Sequence, residues 1–184
     1  MRVAFLAAIM ASASLLTACQ NTQHVVDTYK ILQQTYGSFN PIQLSCHAKE
    51  GCEFARLDDT QIIEDGKPTP QAINRGLLRL EGSVFEVRPQ YALSLLPNEH
   101  EVAVRFFPVS KERSEQFHFI HTFMANHKYE INMYRQRTPS SGSLLNVAMP
   151  GPLCVDLIQD QTPIRRFCRT FDVMKSYEFI EQPV

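Results

Sequence analysis

The sequence predicts an all-β domain, a sandwich or barrel of short strands behind one short helix. Two observations predict it. From Pro41 onward apolar and polar residues alternate in short runs, as at Tyr91, Leu93 and Leu95 or Phe117, Phe119 and His121; period two is the spacing of a strand with one face buried. Turn-forming residues fall between the runs, at His47–Gly51, Pro97–Glu99, Ala125–Lys128 and Asp160–Pro163, where the chain can reverse between neighbouring strands.

The elements follow in order. Val25, Tyr29, Leu32 and Tyr36 recur at helical spacing and Gly37 stops the run, so residues 24–36 are expected to form an amphipathic helix docked by that stripe. Lys30 is the one lysine in it, whereas a helix lying on a membrane surface is rich in basic residues. Ile42, Leu44 and Cys46 form a first strand, answered across the turn by Cys52, Phe54 and Arg56. Asp58 to Pro70 is polar and reads as a loop, and Gln71 to Arg75 as one helical turn. Strands are expected at Leu78–Glu81, at Val84–Arg88, over Tyr91 to Leu95, and over Val102 to Phe106 with Pro108 as the stop. Phe117 to Phe123, Tyr129 to Met133, Leu153 to Leu157 and Phe167 to Phe171 complete the set, with a polar loop over Thr138–Ser143.

The first 19 residues carry a separate signal. Arg2 precedes an apolar run, Val3 to Ala11, which leads through Ser12, Ala13 and Ser14 to Leu16-Thr17-Ala18-Cys19. The run is shorter than the roughly 20 apolar residues a spanning helix needs. The tetrapeptide resembles the lipobox of bacterial lipoproteins. That resemblance implies diacylglycerol on the Cys19 sulfur, cleavage after Ala18 and acylation of the new amino group. It divides the chain into a signal peptide over 1–18, a lipidated tether over 19–23 and a single domain over 24–184. In such lipoproteins an aspartate after the cysteine favours the inner membrane; here Gln20 stands there. The resemblance therefore implies the outer membrane, with the domain facing the periplasm.

A second resemblance covers Tyr91 to Tyr129. The stretch Tyr91 to Phe106, with its Pro97-Asn98-Glu99-His100 turn, and the later Asn126-His127-Lys128-Tyr129 are similar to small envelope β-domains of the PEGA and surface-lipoprotein type. Asn98 replaces the usual glycine of that pattern. The likeness implies an immunoglobulin-like antiparallel β-sandwich. It implies no activity, since fold does not fix function.

Of five cysteines, Cys19 is assigned to lipid, and Cys46, Cys52, Cys154 and Cys168 remain. An even number in an oxidising compartment suggests two disulfides. Three pairings are possible, and the local one, Cys46 with Cys52 and Cys154 with Cys168, is favoured because each pair flanks a turn-rich segment. A four-thiolate zinc site would need two-to-four-residue spacings that neither pair has.

Catalytic and metal motifs are incomplete. His100-Glu101 would need a second histidine at Val104 to form a zincin helix. His118 and His121 are an odd number apart, so a strand points them to opposite faces. Asp58-Asp59 and Glu64-Asp65 read as solvated acidic turns and lack the ligand spacing of an EF-hand. Ser140 to Ser143 is no nucleophile elbow. No cofactor and no metal are expected. With 18 basic and 19 acidic residues, global charge does not point to nucleic acid.

One surface is more suggestive. Arg165, Phe167, Arg169 and Phe171 share a strand face, while Arg166 points the other way. Arginine interleaved with aromatics suits carboxylate or phosphate recognition. Arg165, Phe167 and Arg169 are thus the candidate binding face, for an envelope protein or an anionic envelope component. The expected function is a non-enzymatic envelope binding or assembly module, attached to the membrane by its lipid. Two alternatives remain at this point: an envelope enzyme whose site no local motif reveals, and a surface adhesin.

Overall fold

The structure is a computed structural model and describes residues 25–35, 41–82, 89–110, 112–136, 151–169 and 178–184. The lipobox with Cys19, the strand expected at Val84–Arg88, the loop at Thr138–Ser143, and Tyr36 and Phe171 lie outside the described residues.

The chain is mostly β, in two large sheets. One joins seven strands: β1 (Ile42–His47), β6 (Leu78–Glu81), β7 (Gln90–Leu95), β10 (Lys128–Arg135), β11 (Leu153–Gln159), β12 (Thr162–Arg169) and β13 (Ile180–Gln182). Their order across the sheet is β13-β12-β11-β10-β1-β7-β6. The other is antiparallel, in the order β3-β2-β8-β9: β3 (Thr60–Gln61), β2 (Cys52–Leu57), β8 (Glu99–Ser110) and β9 (Arg113–Thr122). A small hairpin pairs β4 (Ile63–Glu64) with β5 (Lys67–Pro68). Helix α1 covers residues 25–35 and α2 covers Pro70–Asn74.

Alternation decides which face is buried. Ile42, Leu44 and Cys46 of β1, Tyr129, Ile131 and Met133 of β10, and Phe117 and Phe119 of β9 are buried, and their neighbours are less so. Both sheets supply one core: Leu44, Ile131 and Val155 from the larger, Phe54, Val104 and Phe119 from the smaller. Apolar faces that share a core must lie against each other, a sandwich-like arrangement.

Five expectations are corrected. The larger sheet is not purely antiparallel, because β1 and β10 pair in parallel, Gln43 opposite Lys128 and Cys46 opposite Ile131. Alternation reports a buried face but not the direction of the neighbour. Second, β1 and β2 do not form a hairpin; β1 lies between β7 and β10, and β2 between β3 and β8. Third, Asp58–Pro70 is not a loop but carries β3, β4 and β5. The turn between β4 and β5 has Asp65 at φ 49° and Gly66 at φ 72°, the paired positive values of a type I′ hairpin. Fourth, β8 runs through Pro108, where the ladder to β9 is irregular between Phe106 and Ser110. A bulge leaves residues out of register and asks no ladder hydrogen bond of a proline.

The fifth concerns α1. Of the expected stripe, Val25 and Tyr29 are 66% and 61% exposed and Leu32 is half-buried; the buried residue is Ile31. The attachment is largely polar. Gln34 Nε2 donates to the Ile73 carbonyl at 2.6 Å, Lys30 Nζ to Asn74 Oδ1 at 3.2 Å, and the Leu80 amide to Thr35 Oγ1 at 3.0 Å. A hydrogen-bonded face leaves no trace in a count of apolar residues.

Cys46 is bonded to Cys52, and Cys154 to Cys168. The first bond links β1 to β2 and so ties one sheet to the other. The second joins facing residues of β11 and β12 within one sheet. Their sequence separations are 6 and 14, and loop-closure entropy grows with loop length. Replacing Cys154 and Cys168 by alanine is expected to cost about 3 kcal/mol, and replacing Cys46 and Cys52 about 2 kcal/mol. Urea unfolding midpoints of the two double variants test the order; equal midpoints would show that loop length does not set it.

Candidate functional site

A groove of about 400 Å³ opens where the edge of the smaller sheet meets the end of the larger one. One wall is residues 116–120 of β9; the other is Arg165 and Phe167 of β12 with Glu178 and Phe179 just before β13. Five consecutive residues line the first wall because β9 is seen along its edge. Among the described residues it pairs with β8 alone. The Ile120 carbonyl accepts from Arg165 Nη1 at 2.6 Å and therefore points away from β8. In an antiparallel strand alternate residues direct both main-chain groups to the same side, so Gln116 and His118 present theirs to the groove as well.

The floor is aromatic. The Phe117 ring lies 5.0 Å from Phe167, 5.3 Å from Phe179 and 5.5 Å from Phe119. These are distances at which tilted and edge-on rings attract beyond their buried area.

Of the candidate face, Arg165 and Phe167 line this groove, and Arg169 stands beside it against Phe179. The Arg165 guanidinium lies 4.8 Å from the centre of the Phe167 ring and that of Arg169 5.1 Å from Phe179. Both arginines already hold carboxylates. Arg165 donates through Nε and Nη2 to both oxygens of Glu181, at 2.7 and 2.8 Å, and Arg169 pairs with Glu115 at 2.9 Å. The hydrogen bonds from Arg165 hold the Glu181 carboxyl below its ordinary pKa, against a smaller opposing effect of burial. Sequence reasoning missed Glu181, Phe179 and Glu115 as partners. A short period-two run, Phe179-Ile180-Glu181, is the one trace of the strand that brings two of them in.

Arg166 faces the other side of the sheet, where it forks onto both oxygens of buried Asp156 at 2.7 Å, with Tyr134 Oη also donating to Asp156 at 3.2 Å. His118 is exposed. His121 packs 4.9 Å from Phe123 and 5.8 Å from Tyr129, and burial, helped by Arg165, lowers its pKa.

The other sequence candidates serve the turns. His100 Nδ1 meets Asp58 Oδ2 at 2.8 Å and its Nε2 meets the Leu96 carbonyl at 3.1 Å. Both ring nitrogens are thus turned toward oxygens of the protein itself. Glu101 pairs with Arg56. Asp160, in a turn with Gln161 at φ 47° and 72°, accepts from the Lys128 amide at 2.9 Å and from His127. Glu64 and Asp65 sit exposed on the β4–β5 hairpin. Among the described residues no cluster of three or more His, Cys, Asp or Glu is placed to hold a metal. No helix among them is long and apolar enough to cross a membrane.

Asp58 carries a pH signature. Partial burial works to raise its pKa, but the hydrogen bonds from His100 and from the Glu101 amide outweigh it, and the net direction is down. A depressed folded pKa contributes stability above the unfolded value of about 3.9 and loses it as pH falls through the folded value. The Asp58 side chain is 45% exposed, so solvent screening leaves about 0.5 kcal/mol. Asp58→Asn is expected to lower stability by that amount at pH 7 and to match the parent below about pH 3. Urea titrations at both pH values test it; a difference that persists at low pH would assign it to packing.

In comparisons with known proteins, the chain matches no family model, no curated protein and no solved structure.

Proposed function

We propose that this chain is a lipid-anchored protein of the bacterial outer membrane, held at Cys19 and facing the periplasm, whose β-domain binds another envelope protein in the groove between β9 and β12. The observation that carries the reading is the groove itself. It combines an aromatic floor, Arg165 and the outer edge of β9, which no other strand among the described residues covers, the components of strand-by-strand peptide recognition. The two disulfides support an oxidising compartment. Because carboxylates of the same chain already hold Arg165 and Arg169, a protein segment that replaces several contacts together is a better partner than a small free anion. The finer fold assignment, an immunoglobulin-like sandwich, belongs to the same reading. Two facing sheets with a disulfide between them support it, and the parallel β1–β10 pair is its main departure from an antiparallel pattern.

The test is site-specific crosslinking in intact envelopes. A photoreactive side chain replacing exposed His118, on the groove, is expected to capture a discrete partner. The same group replacing Glu64, on the β4–β5 hairpin, is expected to capture none. Capture from Glu64 alone, or equally from both, would remove the groove from consideration.

A further inference from the structure

We infer that the groove recognises an extended peptide bearing an aromatic residue and, two positions later, an acidic one, and that β13 with the preceding Phe179 is a built-in copy of this ligand. The inference rests on the groove being the binding face. β13 pairs antiparallel to β12, with Phe167 opposite Glu181 and Cys168 opposite Ile180. Residues two apart share a strand face, so Arg165, Phe167 and Arg169 of one strand meet Phe179 and Glu181 of the other. Each arginine has one partner there: Glu181 is forked by Arg165, and the Phe179 ring lies under Arg169 and edge-on to Phe117. Ile180, on the opposite face, is 66% exposed. Alternate side chains thus confer specificity while the strand ladder holds the backbone, the division of labour in strand addition.

The resident strand is built to be exchanged. It has three residues, all exposed, and among the described residues one neighbour strand. Its advantage is connectivity, since a segment tethered by a short link competes at an effective concentration in the millimolar range. A ligand in trans then binds with an apparent affinity reduced by the fraction of molecules in which the site is open. Weakening the resident strand must tighten binding of the same sequence supplied from outside.

The probe is a fluorescent peptide of residues 178–184, titrated by anisotropy against the full chain. With a partly exposed ion pair removed, the Glu181→Gln chain is expected to bind the peptide about 3-fold more tightly than the parent chain. A peptide that itself carries Glu181→Gln is expected to bind about 3-fold more weakly, and one carrying Phe179→Ala more weakly still. Circular dichroism of the variant chain checks that it folds, and a Phe179→Ala, Glu181→Gln chain extends the series. Binding that is no tighter to either variant chain than to the parent overturns the inference, as does equal binding of the altered peptides. If His118 crosslinks a partner while these peptides fail, the groove stands as a binding face and the ligand class falls.

Discussion

Cys19→Ser is expected to abolish lipid attachment and to leave a soluble or an uncleaved species. The wild-type chain should partition into the detergent phase and take up labelled fatty acid; the variant should take up none, and should leave the detergent phase unless its apolar run, Val3 to Ala11, is still attached. Each buried methylene contributes about 0.8 kcal/mol, so one acyl chain binds reversibly and marginally, while two or more hold firmly. On the proposed lipidation the substitution would remove every acyl chain at once, because in lipoproteins of this kind cleavage and acylation of the amino group follow modification of the sulfur. What remains to hold the domain is weak. Val25, Val26 and Tyr29 form an exposed apolar stretch on α1, but Lys30 is the one lysine near them, too little charge to bind an anionic surface. Unchanged partitioning together with unchanged lipid labelling would sink the assignment of Cys19.

The second large effect is expected from Phe117→Ala, at about 3–5 kcal/mol, the cost of deleting a buried ring and leaving a cavity. Phe117 is 4% exposed and contacts rings from three segments, Phe119 of β9, Phe167 of β12 and Phe179 ahead of β13. It therefore joins the smaller sheet to the end of the larger one. Ile120→Ala, on the same strand but 56% exposed, is the control and should stay within about 0.5 kcal/mol of the parent. Urea unfolding separates the two. If Phe117→Ala costs less than about 1 kcal/mol, the aromatic floor is not what joins the sheets.

Much of this fold was legible because burial leaves a periodic trace. The strands expected at Leu78–Glu81 and over Tyr91 to Leu95 are in the structure. So is the alternation at Ile42 to Cys46 and Phe117 to His121, where one face lies in the core, whereas Ala92 to Leu95 is buried on both faces. Misreadings cluster where something other than burial decides. The β4–β5 hairpin had a signal that was passed over: Asp65-Gly66, a dipeptide suited to two positive φ values, inside a stretch judged by polarity alone. Strand order had no such signal. Nothing in the residues of β1 says that its neighbours are β7 and β10 rather than β2. The face of α1 was misplaced because Gln34 and Thr35 attach it by hydrogen bonds. At the groove, Arg165, Phe167 and Arg169 were found as a strand face, but their partners come from β9 and from residues 178–182. Such pairings across sequence are invisible to local pattern.

The placement of β1 also bears on how the chain reaches its native state. Gln43 pairs with Lys128 and Leu44 with Leu93, so the strand that is made first must wait for partners far along the polypeptide. Topologies dominated by such distant pairings fold in milliseconds to seconds rather than microseconds. During that wait β1 has two open edges and an apolar face, a template for pairing with the wrong chain. The link from Cys46 to Cys52 spans a separation of only 6, so it can close before either neighbour arrives. An early covalent staple would hold β1 beside β2 and limit its choices, and its loss should be felt in the yield of refolding as well as in the final stability.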